Sequence, residues 1–175
     1  MEDKMDKRTE KTKSSILNAF ITLRARKPLE KISVKELTDL ARINKTTFYR
    51  YYADVYALSE AIEEELIQNC LDTLPDQDIF FQEEGIYRLT EAFVSQSELF
   101  NIVFSGSRMD VAIHKMHDCL MERIFRFHPE FRENLEKKVM LTALIYGIFE
   151  SYLVYKEEDF HTVIHSLALL NQAAL

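Results

Sequence analysis

Between Thr9 and Arg26 apolar residues fall at Ile16, Phe20 and Leu23, with Leu17 and Ala19 beside them. This i, i+4, i+7 spacing predicts an amphipathic helix. Lys27-Pro28 ends it, because the residue before a proline avoids the α region. The eight residues ahead of it are almost all charged and are expected to be disordered. Ser33-Val34-Lys35-Glu36 then has the form of a capping box, hydroxyl at N-cap and carboxylate at N3. It opens a second helix whose apolar stripe is Val34, Leu37 and Ala41. Arg42 and Ile43 interrupt that stripe. Asn44 is a suitable N-cap for a short third helix, Lys45 to Tyr52, in which Phe48 and Tyr52 share a face. Asp54 caps a fourth helix to about Thr73, anchored by Leu58, Ile62 and Leu66, and Leu74 to Asp78 reads as a linker.

Five further helical segments follow, at about Phe81–Ser95, Ser97–Phe104, Ser107–Phe127, Glu130–Lys156 and Asp159–Ala174. No useful length of chain alternates with period two. The expectation is an all-α fold of about nine helices. A three-helix head over residues 1–53 would carry a helix-turn-helix, and residues 54–175 would form a larger helical body for ligand binding and dimerisation. Composition agrees: Gly and Pro number three each in 175 residues, too few turn formers for a sheet protein.

The formal charge of −7 looks wrong for a nucleic-acid binder until it is divided. Residues 1–53 carry 13 Lys+Arg against 7 Asp+Glu, a net of +6, and the remainder carries 9 against 22, a net of −13. A basic head on an acidic body points to a polyanion at one end, although a solvated basic tail has the same signature.

Two short helices joined by a tight turn make a helix-turn-helix, whose second helix enters the major groove with its N-terminal residues toward the bases. Here that turn of chain is Asn44-Lys45-Thr46-Thr47, short, polar and positive. Ser33, Val34 and Lys35 open the second helix and could clamp the backbone, and Tyr49 and Tyr51 offer hydroxyls to phosphates. On spacing alone, core packing by two short helices remains the competing reading.

The run Ile32-Ser33-Val34-Lys35-Glu36-Leu37, followed by Ala41-Arg42-Ile43-Asn44-Lys45-Thr46-Thr47-Phe48-Tyr49-Arg50-Tyr51-Tyr52, resembles the DNA-binding signature of TetR-family regulators. The likeness covers about Thr9 to Leu66. It implies a homodimer with two DNA-binding heads and a cytoplasmic repressor of near-palindromic operators in double-stranded DNA. The last two long helices would pair with their twofold mates, and a cavity in each body would take a small effector. By position, Lys45 would contact a base, with Thr46 and Thr47 next, Tyr49 would contact a phosphate, and Phe48 would be core. Two positions depart from the pattern: Arg42 stands where the turn usually has glycine, and Val55 where the fourth helix usually has a phosphate-binding lysine. They leave open a second class of function, a helical dimeric interaction module that has lost sequence-specific DNA binding.

Elsewhere the chemistry is sparse. There is no nucleophile elbow, phosphate-cradling glycine loop or HExxH motif, so an enzyme reading has no residues to stand on. No cofactor is implied. His161 and His165 are spaced i, i+4 without a third ligand, His114, His117 and Cys119 are equally loose, and no metal is expected. Cys70 and Cys119 lack metal or redox spacing and read as small apolar fillers in a reducing compartment. Tyr87, Phe93, Phe100, Phe104, Met109, Met116, Met121, Phe125, Tyr146 and Phe149 are candidates to line a pocket for an apolar effector, with ordinary core packing as the competing reading. Val139–Tyr155 is apolar nearly all round, but Thr142, Gly147, Glu150 and Ser151 make it a poor membrane span. Burial against a second copy, through about residues 139–174, is expected instead, with a central helix within one chain as the competing reading.

Overall fold

A computed structural model describes residues 2–155 and 158–172, with side chains from Arg8 onward except those of Ser107, Phe160 and residues 170–172. Its described residues form nine α-helices and no strand, so the fold is all-α. The helices are α1 (Glu2–Arg24), α2 (Val34–Ala41), α3 (Lys45–Tyr49), α4 (Val55–Leu71), α5 (Glu83–Ser95), α6 (Ser97–Val103), α7 (Met109–Phe127), α8 (Leu135–Tyr155) and α9 (Phe160–Gln172). Single 3-10 turns at Leu29–Lys31, Gly106–Arg108 and Pro129–Phe131 join some of them.

Several boundaries follow from local chemistry. α1 includes the charged lead expected to be disordered, whose Glu, Lys, Met and Arg are good helix formers. Asp54 caps α4, its carboxylate accepting from the Ala57 N–H at 2.8 Å. α8 begins at Leu135 rather than near Glu130, because Asn134 accepts from the Lys137 N–H at 3.1 Å while Pro129–Phe131 forms its own turn. Asp159 opens α9, accepting from the Thr162 N–H at 2.8 Å and its hydroxyl at 2.7 Å, and these bonds hold its carboxyl below the usual range. The residues beyond Gln172 expected in that helix lie outside the described chain.

The chain divides into two compact units. The first comprises Met1–Leu66 together with Glu98–Arg108, and the second Ile67–Ser97 together with Met109–Leu175. The division falls inside α4, and a stretch distant in sequence belongs with the N-terminal head. Ile16, Phe20, Leu37, Phe48 and Leu58 are buried in the first unit, as are Phe100 and Phe104, whose rings stack at 5.3 Å. The polar ties are equally specific. The Arg24 guanidinium, 5% exposed, donates to the carbonyls of Val103 at 3.0 Å and Ser105 at 3.5 Å. Burial lowers its pKa below the usual value. Glu63 has no solvent exposure and accepts from Arg108 and from the Ser59 hydroxyl.

In the second unit Ile86 of α5, Ile148 of α8 and Ile164 and Leu167 of α9 form one cluster. α7 buries Met116, Leu120, Met121 and Ile124. Arg123 of α7 straps the segment after α4 by donating to the carbonyls of Leu74 and Pro75. His128 reaches Asp78 at 2.7 Å. That segment presses on α5 at Gly85, where an added Cβ would lie 2.0 Å from the Ile79 carbonyl oxygen. α8 is long and apolar enough to cross a membrane by length and composition, yet only 22% of its most apolar stretch is buried. Leu141, Ile145, Ile148 and Phe149 face the core, whereas Leu135, Val139 and Val154 are exposed.

Candidate nucleic-acid interface

The second helix starts as its sequence requires. The Ser33 hydroxyl accepts from the Glu36 N–H at 3.3 Å, and the Glu36 carboxylate accepts from the Ser33 N–H at 3.1 Å. The same carboxylate takes the Ser33 hydroxyl proton at 2.8 Å and a Lys27 ammonium. The Lys27 bond first, and the Ser33 bonds next, hold its pKa at about 2. The box therefore engages the Ser33 hydroxyl. Lys35 is exposed and Val34 half-buried at the same end of α2.

α2 ends in a Schellman arrangement. The Arg42 N–H reaches the Asp39 carbonyl at 3.4 Å and the Ile43 N–H reaches the Thr38 carbonyl at 3.0 Å. Arg42 takes φ 55°, ψ 45°, the one positive φ outside glycine among the described residues. The left-handed region costs a side-chain-bearing residue about 1 kcal/mol. The turn thus keeps the geometry that glycine would adopt and accepts the strain.

Asn44 occupies the N-cap of α3 through its backbone. Its carbonyl accepts from Thr47 at 2.9 Å and Phe48 at 3.1 Å, and its side chain makes no cap bond, contrary to the role given to its amide by the sequence reading. The helix closes at Tyr49 rather than Tyr52, because the Tyr51 and Tyr52 N–H groups both fold back on the Phe48 carbonyl. Phe48 is wholly buried, edge-on to Tyr49 with ring centres 5.6 Å apart. At 100° per residue, Thr46 stands almost opposite Phe48, with Tyr49 and Thr47 flanking it on either side. Lys45 and Thr46 are exposed, Tyr49 is 56% exposed, and Thr47 and Tyr51 are half-buried. One buried ring therefore fixes a five-residue helix that turns cationic and hydroxyl side chains outward. Val55 is buried at the start of α4 and gives no cation there.

The sequence reading did not single out Arg8 and Arg50 as site residues. They line one open groove of about 630 Å³ with Arg42, Asn44, Thr47 and Tyr51. The excess of basic residues before Ala53 was the available signal; their convergence depends on α1 passing alongside the α2–α3 turn.

The ten body residues proposed as pocket lining are not gathered round one cavity. Phe100 and Phe104 are core of the first unit. Met116, Met121 and Phe125 are buried along α7, and Met109 is half-buried at its start. Tyr87 stacks on His161, and Tyr146 lies between His114 and His117. Phe93 packs edge-on to Phe149, and those two line a space of about 20 Å³. A cavity of about 30 Å³ lies instead between Leu74, Ile79, Leu89 and Ile124, with Arg123 and Thr90 as polar groups. His165 faces Glu83 at 3.5 Å, and no group of three or more metal-ligating side chains occurs among the described residues. Burial pushes the Cys70 thiol up to about 11, the reverse of an activated nucleophile.

No family model matches the chain, and no curated protein is similar enough to count as a match.

Proposed function

We propose that this chain is a DNA-binding transcription regulator of the TetR type, most simply a cytoplasmic repressor, that holds near-palindromic double-stranded DNA as a homodimer. The observation that supports the reading is the outward face of α3. Phe48 is fully buried while Lys45, Thr46 and Tyr49 stand exposed beside it, the arrangement a groove-reading helix needs. Lys45 is assigned to a base edge, Thr46 and Thr47 to neighbouring bases, Tyr49 and Tyr51 to phosphates, and Ser33, Val34 and Lys35 to a second backbone contact. Because its hydroxyl and its N–H are both held by the capping box, the backbone donors at this end would be the first N–H groups of α2 rather than Ser33 itself.

The second copy is assigned to α8 and α9. Along α8, Leu135, Val139, Ala143 and Gly147 recur every four residues on an exposed face. A Cβ added at Gly147 would meet nothing within 4 Å. An exposed apolar helix face with a small residue at its centre suits close approach of another helix. The effector would be small and apolar and would use the cavity beside Arg123. As it stands that space holds about one water molecule, so binding would require the Leu74–Gln82 segment to move.

Selection of bound genomic fragments at physiological salt tests the proposal. Enrichment of one palindrome is expected, with Lys45→Ala and Tyr49→Ala each weakening binding to it while helicity and dimerisation persist. The dimeric interaction module is the second reading. The buried Val55, which removes one backbone clamp, favours it, and recovery of no enriched motif would establish it in place of the first.

A further inference from the structure

We infer that Arg8, Arg42 and Arg50 form a cradle for one phosphodiester strand of duplex DNA, beside the α3 face and distinct from it. The inference rests on the DNA-binding reading and adds residues to it. Three arginines from three parts of the head, namely α1, the α2–α3 turn and the residue ending α3, line one open groove. None has an acidic partner among the described residues, and Asp39 is the single carboxylate on the groove wall.

Three arginines face one carboxylate on this wall, so the groove carries an excess of positive charge that an anion lying in it would balance. The planar fork of arginine suits the paired oxygens of a phosphodiester. Asn44 and Tyr51 add an amide and a hydroxyl to the same wall. Arg42 supplies an independent argument. It holds a left-handed backbone that glycine would adopt without strain, so its side chain is retained at a cost. That side chain is exposed and makes no ion pair among the described residues. Thr47 belongs both to this groove and to the flank of α3. A strand lying in the groove would therefore be continuous with the duplex that Lys45 and Thr46 read.

A phosphate cradle and a base-reading face fail differently, which makes them separable. Fluorescence anisotropy over a salt series would use two duplexes, one drawn from the genomic selection and one of mixed sequence and equal length. The triple variant Arg8→Gln, Arg42→Gln, Arg50→Gln should lose about tenfold or more on both duplexes by the same factor. Its salt dependence should fall by about 0.9 per arginine in each bound head. Lys45→Ala should instead lower affinity mainly for the selected duplex. Arg42→Gly guards against misfolding: its salt dependence should fall by about 0.9 per head while its melting temperature does not decrease. If the triple variant matches the unsubstituted chain in affinity and salt slope on duplexes that chain binds, the cradle is overturned and the α3 reading stands. If the unsubstituted chain binds neither duplex even at about 50 mM salt, where phosphate contacts are strongest, both are overturned.

Discussion

Arg108 directs both Nε and Nη2 at one oxygen of Glu63, and the receiving carboxylate has no exposure to solvent. The pair joins positions 45 residues apart and fastens the 98–108 segment to α4 within the head. Removing one partner of a buried pair strands the other charge, a penalty larger than the pair's own net worth. Arg108→Ala should therefore destabilise the chain by about 3 kcal/mol, seen as a lower urea midpoint with an unchanged slope. A shift no larger than that of an ordinary surface substitution would show that water reaches Glu63.

Arg42→Gly should stabilise the fold while weakening the proposed contact of the head with DNA. Relief of the left-handed strain gains about 1 kcal/mol, reduced by the greater freedom of glycine in the unfolded chain. Thermal unfolding and DNA titration of the same sample should move in opposite directions. A lower melting temperature would mean that the side chain contributes packing not evident at its exposed position.

Glu36 gives the head an acid-labile start to α2. Its carboxyl titrates at about 2 in the folded chain, against 4.5 ordinarily, so the unfolded chain takes up the proton first. The stabilisation is complete above about pH 4.5 and drains away as pH falls toward 2. The melting temperature of Glu36→Gln should lie below that of the unsubstituted chain at pH 7, and the gap should close over that interval. A gap constant from pH 7 to 2 would assign the effect to packing rather than to charge.

Gly147 and Gly85 should respond to a methyl group in opposite ways. At Gly147 nothing obstructs an added Cβ, so Gly147→Ala should gain about 1 kcal/mol of helix propensity. Gly147→Phe should leave the circular dichroism intact but turn the proposed dimer into a monomer in sedimentation. At Gly85 the Ile79 carbonyl lies in the way, and Gly85→Ala should cost about 1–3 kcal/mol. Dimerisation unaffected by Gly147→Phe would remove α8 from the proposed subunit contact.

What the sequence made legible was local. The capping box at Ser33 and the cap at Asp54 depend on residues within one turn of each other, and each lies where the pattern put it, while α1 stops at Arg24, just short of the break expected at Lys27-Pro28. Phe48 as the buried residue of α3 followed from the family resemblance, while its spacing only paired it with Tyr52, which is half-buried. Signals that depend on distant chain were not legible. Nothing near Arg8 announces that it will share a groove with Arg50, and nothing near Phe100 says that it will pack in the head. Aromatic residues at helical spacing look alike whether they fill a core or surround a void, so the proposed pocket list was scattered across both units. The amide of Asn44 shows a subtler gap, because a residue can sit at an N-cap by its backbone while its side chain stays out of the bond.

The eleven-position insert from Glu98 to Arg108 makes the head a discontinuous object. Scissors applied after Leu66 would release a piece lacking the stacked rings of Phe100 and Phe104 and the cation that neutralises Glu63. Such a fragment would be expected to melt or clump rather than behave as a portable DNA-binding cassette. Transplanting the head would succeed only if the insert travelled with it, as a second piece cut from the middle of the chain.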